Sequence, residues 1–322
     1  MRRYFGTTIA ALAAPFCLFA TIPPTVEAVD TSLSVLSFNL YFLPIFDSGQ
    51  SLRAQRIVKA PFVKSHDVVV FQECFESSAC NIVVEGLKHE YPYYTNVIGE
   101  GGVGSGPSNW DSSTGGSFSL LKFTNGGVRI MSKWPILEKH EHFYAESCGT
   151  DAMARKGFAY VKLNVKGSTV HVVGTHAQST ISGCSNPRQI RASQQAEIEK
   201  FVTSKRIPAN QLLVLAGDFN VDRDAPGNEY QSMLQALNAR PADAFKGHTA
   251  TWDPQTNELA KLDGDKTVQY LDYVLTGKNN MVPKSSIQTA LTDKAPAYKI
   301  GNAEYYQYSD HFPVVATIVA DI

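Results

Sequence analysis

Leu212-Leu213-Val214-Leu215-Ala216-Gly217-Asp218-Phe219-Asn220 is the stretch from which the rest of the chain can be read. An unbroken apolar run followed by glycine and short polar side chains describes a strand buried on both faces that carries Asp218 and Asn220 to its open end. Asp67-Val68-Val69-Val70-Phe71 repeats the pattern and runs into Gln72 and Glu73. Ser34 to Phe38 meets Asn39, and Thr169 to Gly174 ends in Thr175-His176. Several strands thus deliver polar side chains to their ends, which predicts an α/β fold with its chemistry at one rim.

Further strands are expected at Val128 to Met131, Phe158 to Val165, Gln269 to Leu275 and Phe312 to Val319. Lys166-Gly167 reads as a hairpin turn, Asp272 falls inside a strand, and Ser309-Asp310-His311 directly precedes the last one. Gln50 to Val63 suits an amphipathic helix interrupted near Pro61. Asn186 to Lys205 suits a long helix with Asn186 as N-cap and Pro187 in the first position, and Asn228 to Leu237 a shorter one. The glycine-rich stretch from Gly99 to Gly127 has no periodicity and reads as a long surface loop. No repeat or linker divides the chain.

Residues 1–28 read as a secretory signal peptide: Arg2 and Arg3 open it, Ile9 to Ala20 is apolar but too short to span a bilayer, and Val26-Glu27-Ala28 resembles a cleavage site. This predicts one extracellular domain, residues 29–322, with 43% hydrophobic residues in the whole chain. Losing Arg2, Arg3 and Glu27 moves the formal net charge from −1 to −2, so there is no general attraction for nucleic acid. Cys74, Cys80, Cys148 and Cys184 then remain, an even set in an oxidising compartment. Three pairings are open, and proximity favours Cys74 with Cys80 and Cys148 with Cys184.

Strand ends therefore present Asn39, Glu73, His176, Asp218, Asn220 and His311, with Asp272 nearby. His66, His89, His140, His142, His171 and His248 have no such setting and are assigned to structure or surface. A carboxylate such as Glu73 beside amide oxygens suits a hard ion such as Mg²⁺, with Mn²⁺ or Co²⁺ able to stand in, whereas zinc would draw on more His or Cys. Two histidines can divide the proton work, one taking a proton from water and one supporting a departing alkoxide, with Asp272 fixing the tautomer of its histidine. Hydrolysis of a phosphate ester uses all these parts.

Asn39, Gln72-Glu73, Gly217-Asp218-Phe219-Asn220, Leu271-Asp272-Tyr273-Val274 and Ser309-Asp310-His311-Phe312-Pro313-Val314 resemble, in order, the motif series of the endonuclease/exonuclease/phosphatase superfamily. Gly126 to Ile136, Cys148 to Phe158, Thr175 to Ser179 and Thr251-Trp252-Asp253-Pro254 are similar to the secreted bacterial-type neutral sphingomyelinases. The resemblance implies a DNase I-like, four-layer αββα sandwich and Mg²⁺-dependent cleavage of sphingomyelin to ceramide and phosphocholine. It implies Glu73 as main metal ligand with Asn39 close by and His311 as general base supported by Asp272 and Asp310. It further implies Asp218 and Asn220 orienting phosphate and water, His176 at the leaving oxygen, and Asp151 in substrate binding. It also implies a Cys148–Cys184 bridge. Toxin-type relatives carry a hairpin before the last motif tipped with tryptophan or other bulky apolar residues. Here Pro296 to Tyr308 has no tryptophan but offers Tyr298, Tyr305 and Tyr306 for peripheral membrane contact by a monomer. A secreted DNase I-like nuclease, or an inositol-phosphate-type phosphatase, is the alternative within the same fold.

Overall fold

The computed structural model describes residues 1, 31–44, 46–100, 109–116 and 122–322, so the leader segment apart from Met1 lies outside the described residues. Two seven-stranded sheets pack face to face. In spatial order the first holds β11 (Ala244–Gly247), β13 (Ser285–Ala290), β16 (Val314–Ala320), β1 (Thr31–Asn39), β2 (Val68–Gln72), β5 (Arg129–Ser132) and β3 (Tyr93–Tyr94). The second holds β10 (Ala239–Arg240), β12 (Asp272–Gly277), β9 (Leu212–Asp218), β8 (Ser168–His176), β7 (Gly157–Val165), β6 (Ile136–Phe143) and β4 (Ser112–Gly115). A separate hairpin pairs β14 (Tyr298–Ile300) with β15 (Ala303–Tyr305). Helices α1 (Gln50–Ile57) and α2 (Ser77–Leu87) cover the first sheet, and α3 (Pro187–Ser204) and α4 (Glu229–Ala236) pack on the second.

The unbroken apolar runs follow from this layering, because strand side chains alternate between faces and here both faces are covered. In β1, Leu33 and Val35 enter the core shared by the sheets, while Leu36 and Phe38 pack with Ala54 and Ile57 of α1 and Val83 and Leu87 of α2. In β2, Val68 and Val70 face the shared core, and Val69 and Phe71 face the helices. This is the four-layer, DNase I-like α/β sandwich.

Register gathers the functional ends. β9 runs parallel to β8 and antiparallel to β12, which sets His176, Asp218 and Asp272 abreast on three adjacent strands. β1 and β2 are parallel with Asn39 beside Gln72, and β16 runs antiparallel to β1, so residues 309–313 emerge at the same rim. Gly217 permits the closest contact there: a Cβ would stand 2.1 Å from the Thr175 carbonyl oxygen of β8. Gly217→Ala must therefore push β8 and β9 apart, and a loss of about 3 kcal/mol is expected in denaturant unfolding.

Several sequence expectations shift. α1 ends at Ile57, and Pro61–Val63 forms a separate 3₁₀ turn. Asn186 makes no side-chain cap bond; Pro187 opens α3 with a fixed φ and no N–H of its own to satisfy. Asp272 is the first residue of β12 rather than interior to it. Within the stretch expected as loop, Ser112–Gly115 forms a polar edge strand parallel to His140–Phe143. Both cysteine pairs, Cys74–Cys80 and Cys148–Cys184, are bridged. Among the described residues no helix is long and apolar enough to cross a membrane.

Candidate active site

Eight of the side chains singled out from the sequence meet at that rim. Asn39, fully buried, donates from Nδ2 to Glu73 Oε1 at 3.0 Å and to Asp218 Oδ2 at 3.1 Å, and its Oδ1 accepts from the Tyr41 N–H at 3.0 Å. The first of these bonds joins the ends of β1 and β2; the second crosses from one sheet to the other. Asp218 Oδ1 accepts from the Asn220 N–H at 2.9 Å, and Asn220 Nδ2 donates to the Ala177 carbonyl at 3.1 Å. Asp218 Oδ2 also faces both histidines, 3.6 Å from His176 Nε2 and 3.8 Å from His311 Nε2. His311 Nδ1 lies 2.9 Å from Asp272 Oδ2, and Ser309 Oγ donates to Asp310 Oδ1 at 3.1 Å. Glu73 holds a left-handed backbone at φ 53°, uncommon for a residue with a long side chain, and Asn220 one at φ 52°, which asparagine tolerates.

Electrostatics separates the two histidines. Burial alone would lower His311, but the Asp272 and Asp218 carboxylates outweigh it and hold its pKa well above the ordinary value. Burial, with Lys156 and His311 adding to it, drives His176 well below that value, so it stays neutral. Burial raises Glu73; burial and the nearby Asp272 raise Asp218 to about 6; burial and Glu73 raise Asp310 to about 7. Several carboxylates forced together away from water favour a bound cation.

Glu73 Oε2 and Asp272 Oδ1 are buried without a hydrogen-bond partner. Asp218, Asp272 and His311 offer three ligand-type atoms within 4.8 Å of one another. Nδ1 of His311 is already spent on Asp272, however, so that trio works better as an oriented histidine than as a metal cage. The open oxygen of Glu73, with Asp218 nearby, is the harder and better donor set for a divalent ion, and Asn39 turns its Nδ2 to both carboxylates and so orients them rather than offering an oxygen.

Asp151 stands beside the cluster, its Oδ2 held by Lys156 Nζ at 2.8 Å and by the N–H and hydroxyl of Ser179 at 2.8 and 3.0 Å. Through Lys156 it is linked to His176. Tyr298 cannot meet a membrane, being 4% exposed, with its hydroxyl on the Gln307 carbonyl at 2.7 Å and Arg56 over its ring. It anchors the hairpin. Tyr305 is half-buried and Tyr306 is 38% exposed.

Lys156 is a residue the sequence reading passed over. It is buried, and its ammonium lies 3.1 Å from His176 Nε2 and 3.2 Å from the Ala177 carbonyl. A lysine one step before a strand carries no signal of its own. Trp252, quoted above for its motif, packs edge-on against the His311 ring with centroids 5.3 Å apart. Thr251 Oγ1 accepts from the Asp272 N–H at 3.2 Å, so this segment braces the His311–Asp272 pair from behind.

The fold and this cluster define the class: the chain belongs to the Endonuclease/Exonuclease/phosphatase family, whose model matches residues 36–311. Within it, the chain sits among the sphingomyelinases C. It is 38% identical over 303 residues to sphingomyelinase C of Bacillus cereus, covering 90% of this chain and 89% of that one. The crystal structure of sphingomyelinase C from Streptomyces griseocarneus matches with a TM-score of 0.83 at 36% identity, over 89% of this chain and 99% of that one. A variant of Staphylococcus aureus beta toxin, crystallised with bound magnesium ions, matches with a TM-score of 0.82 at 37% identity, again over 89% and 99%.

Proposed function

We propose that this chain is a secreted, Mg²⁺-dependent phosphodiesterase that cleaves sphingomyelin in membrane surfaces to ceramide and phosphocholine. The observation that carries the reading is the pair of histidines flanking Asp218 Oδ2 with opposite proton affinities, beside a buried glutamate with an open oxygen. The sphingomyelinase relatives supply the substrate class.

Glu73 would hold the ion, with Asn39 Nδ2 fixing its Oε1, and the ion when bound supplies Lewis acidity toward a phosphoryl oxygen. His311, oriented by Asp272, takes the proton of the water whose oxygen attacks phosphorus. The bond from phosphorus to the ceramide oxygen breaks, and that oxygen takes a proton from solvent as it leaves, while His311 returns its own to solvent. Asp218 and Asn220 orient water and phosphate from the end of β9. His176, kept neutral, accepts from the Lys156 ammonium at Nε2, and the pair places positive charge beside the departing oxygen. Lys156→Met is expected to lower kcat about a hundredfold with KM changed only a few-fold, as steady-state phosphocholine release would show.

Membrane contact falls to Tyr306 at the end of the hairpin and to Phe46, 65% exposed on the loop after β1. That loop adjoins the hairpin, since a Cβ on Gly49 would stand 3.1 Å from Ile300.

Purified protein with Mg²⁺ should release phosphocholine from sphingomyelin vesicles and lose that activity in EDTA. No release, together with rapid cleavage of DNA, would overturn the reading in favour of a nuclease. The ion should also show itself in stability. Asp218 and Asp310 carry folded pKa values of about 6 and about 7 against an ordinary 3.8, so their contribution is fully present below about pH 4. It is lost as pH rises through about 6 to 7, where both are forced to ionise in a buried site. A bound cation offsets that charge, so Mg²⁺ is expected to raise Tm more at pH 8 than at pH 5, measured by scanning calorimetry.

A further inference from the structure

We infer that Arg53 is a positioning residue that holds the metal-binding end and the general-base end of the active site in one frame, an inference that rests on the roles proposed above for Asn39, Glu73 and His311. Arg53 lies on α1 and is fully buried. All five of its N–H donors are spent on neutral oxygens. Nε donates to the Ser48 carbonyl at 2.9 Å; Nη1 donates to the Leu40 carbonyl at 2.5 Å and the Tyr308 carbonyl at 3.1 Å. Nη2 donates to the Tyr41 carbonyl and to Ser48 Oγ at 2.9 Å. The rings of Tyr41 and Phe42 lie 5.3 and 5.1 Å from the guanidinium carbon.

The acceptors lie on the loop between β1 and α1, at Leu40, Tyr41 and Ser48, and at Tyr308, and Leu40, Tyr41 and Tyr308 lead directly into the site. Leu40 and Tyr41 follow Asn39, whose Oδ1 is set by the Tyr41 N–H and whose Nδ2 bridges Glu73 and Asp218. Tyr41 sits at φ 54°, a conformation that its carbonyl bond to Arg53 helps to retain. Tyr308 opens the run Ser309-Asp310-His311. Tyr308 lies 255 residues beyond Arg53, and one planar fork ties the two segments together.

Burying a cation is costly, and a purely structural staple between backbone carbonyls needs no charge. The guanidinium is the side chain that offers five donors in a fixed plane, and it adds a positive charge near the anionic cluster. Lysine, with three donors on a flexible stem, keeps the charge but cannot fill the set.

The test uses the full mature chain and Mg²⁺ itself. Wild type, Arg53→Lys and Ser48→Ala, which removes one acceptor and leaves the cation, are compared by titration calorimetry with MgCl₂ and by kcat and KM on sphingomyelin vesicles at a temperature below each variant's Tm. Arg53→Lys is expected to weaken Mg²⁺ binding about tenfold or more and to lower kcat about a hundredfold, with KM within a few-fold of wild type. Ser48→Ala is expected to weaken Mg²⁺ binding a few-fold. If Arg53→Lys does not fold, Ser48→Ala decides. Wild-type Mg²⁺ affinity and kcat in the folded variants, with only Tm lowered, would overturn the inference and leave Arg53 a structural staple. If wild type itself neither binds Mg²⁺ nor turns over, the fault lies with the reading of the site instead.

Discussion

Glu73→Gln should abolish Mg²⁺ binding in titration calorimetry, weakening it by at least about a hundredfold, and should reduce phosphocholine release by about a thousandfold or more. The substitution keeps the shape of the side chain and an oxygen to accept from Asn39, which now bonds Glu73 Oε1 at 3.0 Å. What it removes is the negative charge at an oxygen left buried without a partner. Burial already pushes the Glu73 carboxyl upward, so in metal-free protein its ionised form is a liability. The glutamine variant is therefore expected to melt at or above the wild-type temperature in EDTA while failing to gain stability from Mg²⁺. Wild-type Mg²⁺ affinity in this variant would remove Glu73 from the ion site and favour the Asp218–Asp272–His311 trio.

His311→Ala is the second large effect, and it should differ in kind. Activity is expected to fall about a thousand- to ten-thousandfold with Mg²⁺ binding largely retained, because a proton acceptor is lost rather than an ion ligand. The pH dependence gives the sign. Asp272, 2.9 Å from His311 Nδ1, and Asp218 hold the imidazole proton and raise its pKa. A general base works only when unprotonated, so the rate should climb as pH rises through a value above that of an ordinary histidine. In Asp272→Asn one of those carboxylates is gone. The acid limb of kcat/KM is expected to move to lower pH while the plateau falls, since the ring loses its orienting partner. An acid limb that stays in place would show that another group sets it.

Much of this arrangement is legible in the sequence because one physical pattern produces it. A strand covered on both faces must be apolar throughout, and the point where it leaves cover is marked by an abrupt polar residue. Asn39, Glu73, His176 and Asp218 all stand at such points, which is why they can be found without a structure. Lys156 and Arg53 lie beyond that logic. Both occupy positions where a charged residue usually meets solvent, before a strand and on an amphipathic helix, and only the tertiary fold buries them. Tyr298 erred in the opposite direction: a tyrosine in an exposed hairpin suggests the lipid interface, yet its ring is needed underneath the turn. The strand Ser112–Gly115 stayed hidden because neither of its faces is apolar; its side chains meet His140 and His142 through hydroxyl hydrogen bonds.

The bond from Asn39 to Asp218 crosses the sandwich. Asn39, Glu73, Asp310 and His311 ride on the first sheet and its loops, while His176, Asp218 and Asp272 ride on the second. The proposed catalytic centre is thus a seam between two bodies, and neither half owns it. No excised sheet could keep a fraction of the activity, and any slippage of one layer over the other would be reported by turnover before it altered either layer's own hydrogen bonding. For such a molecule, the reaction is the most sensitive gauge of whether its two halves remain in register.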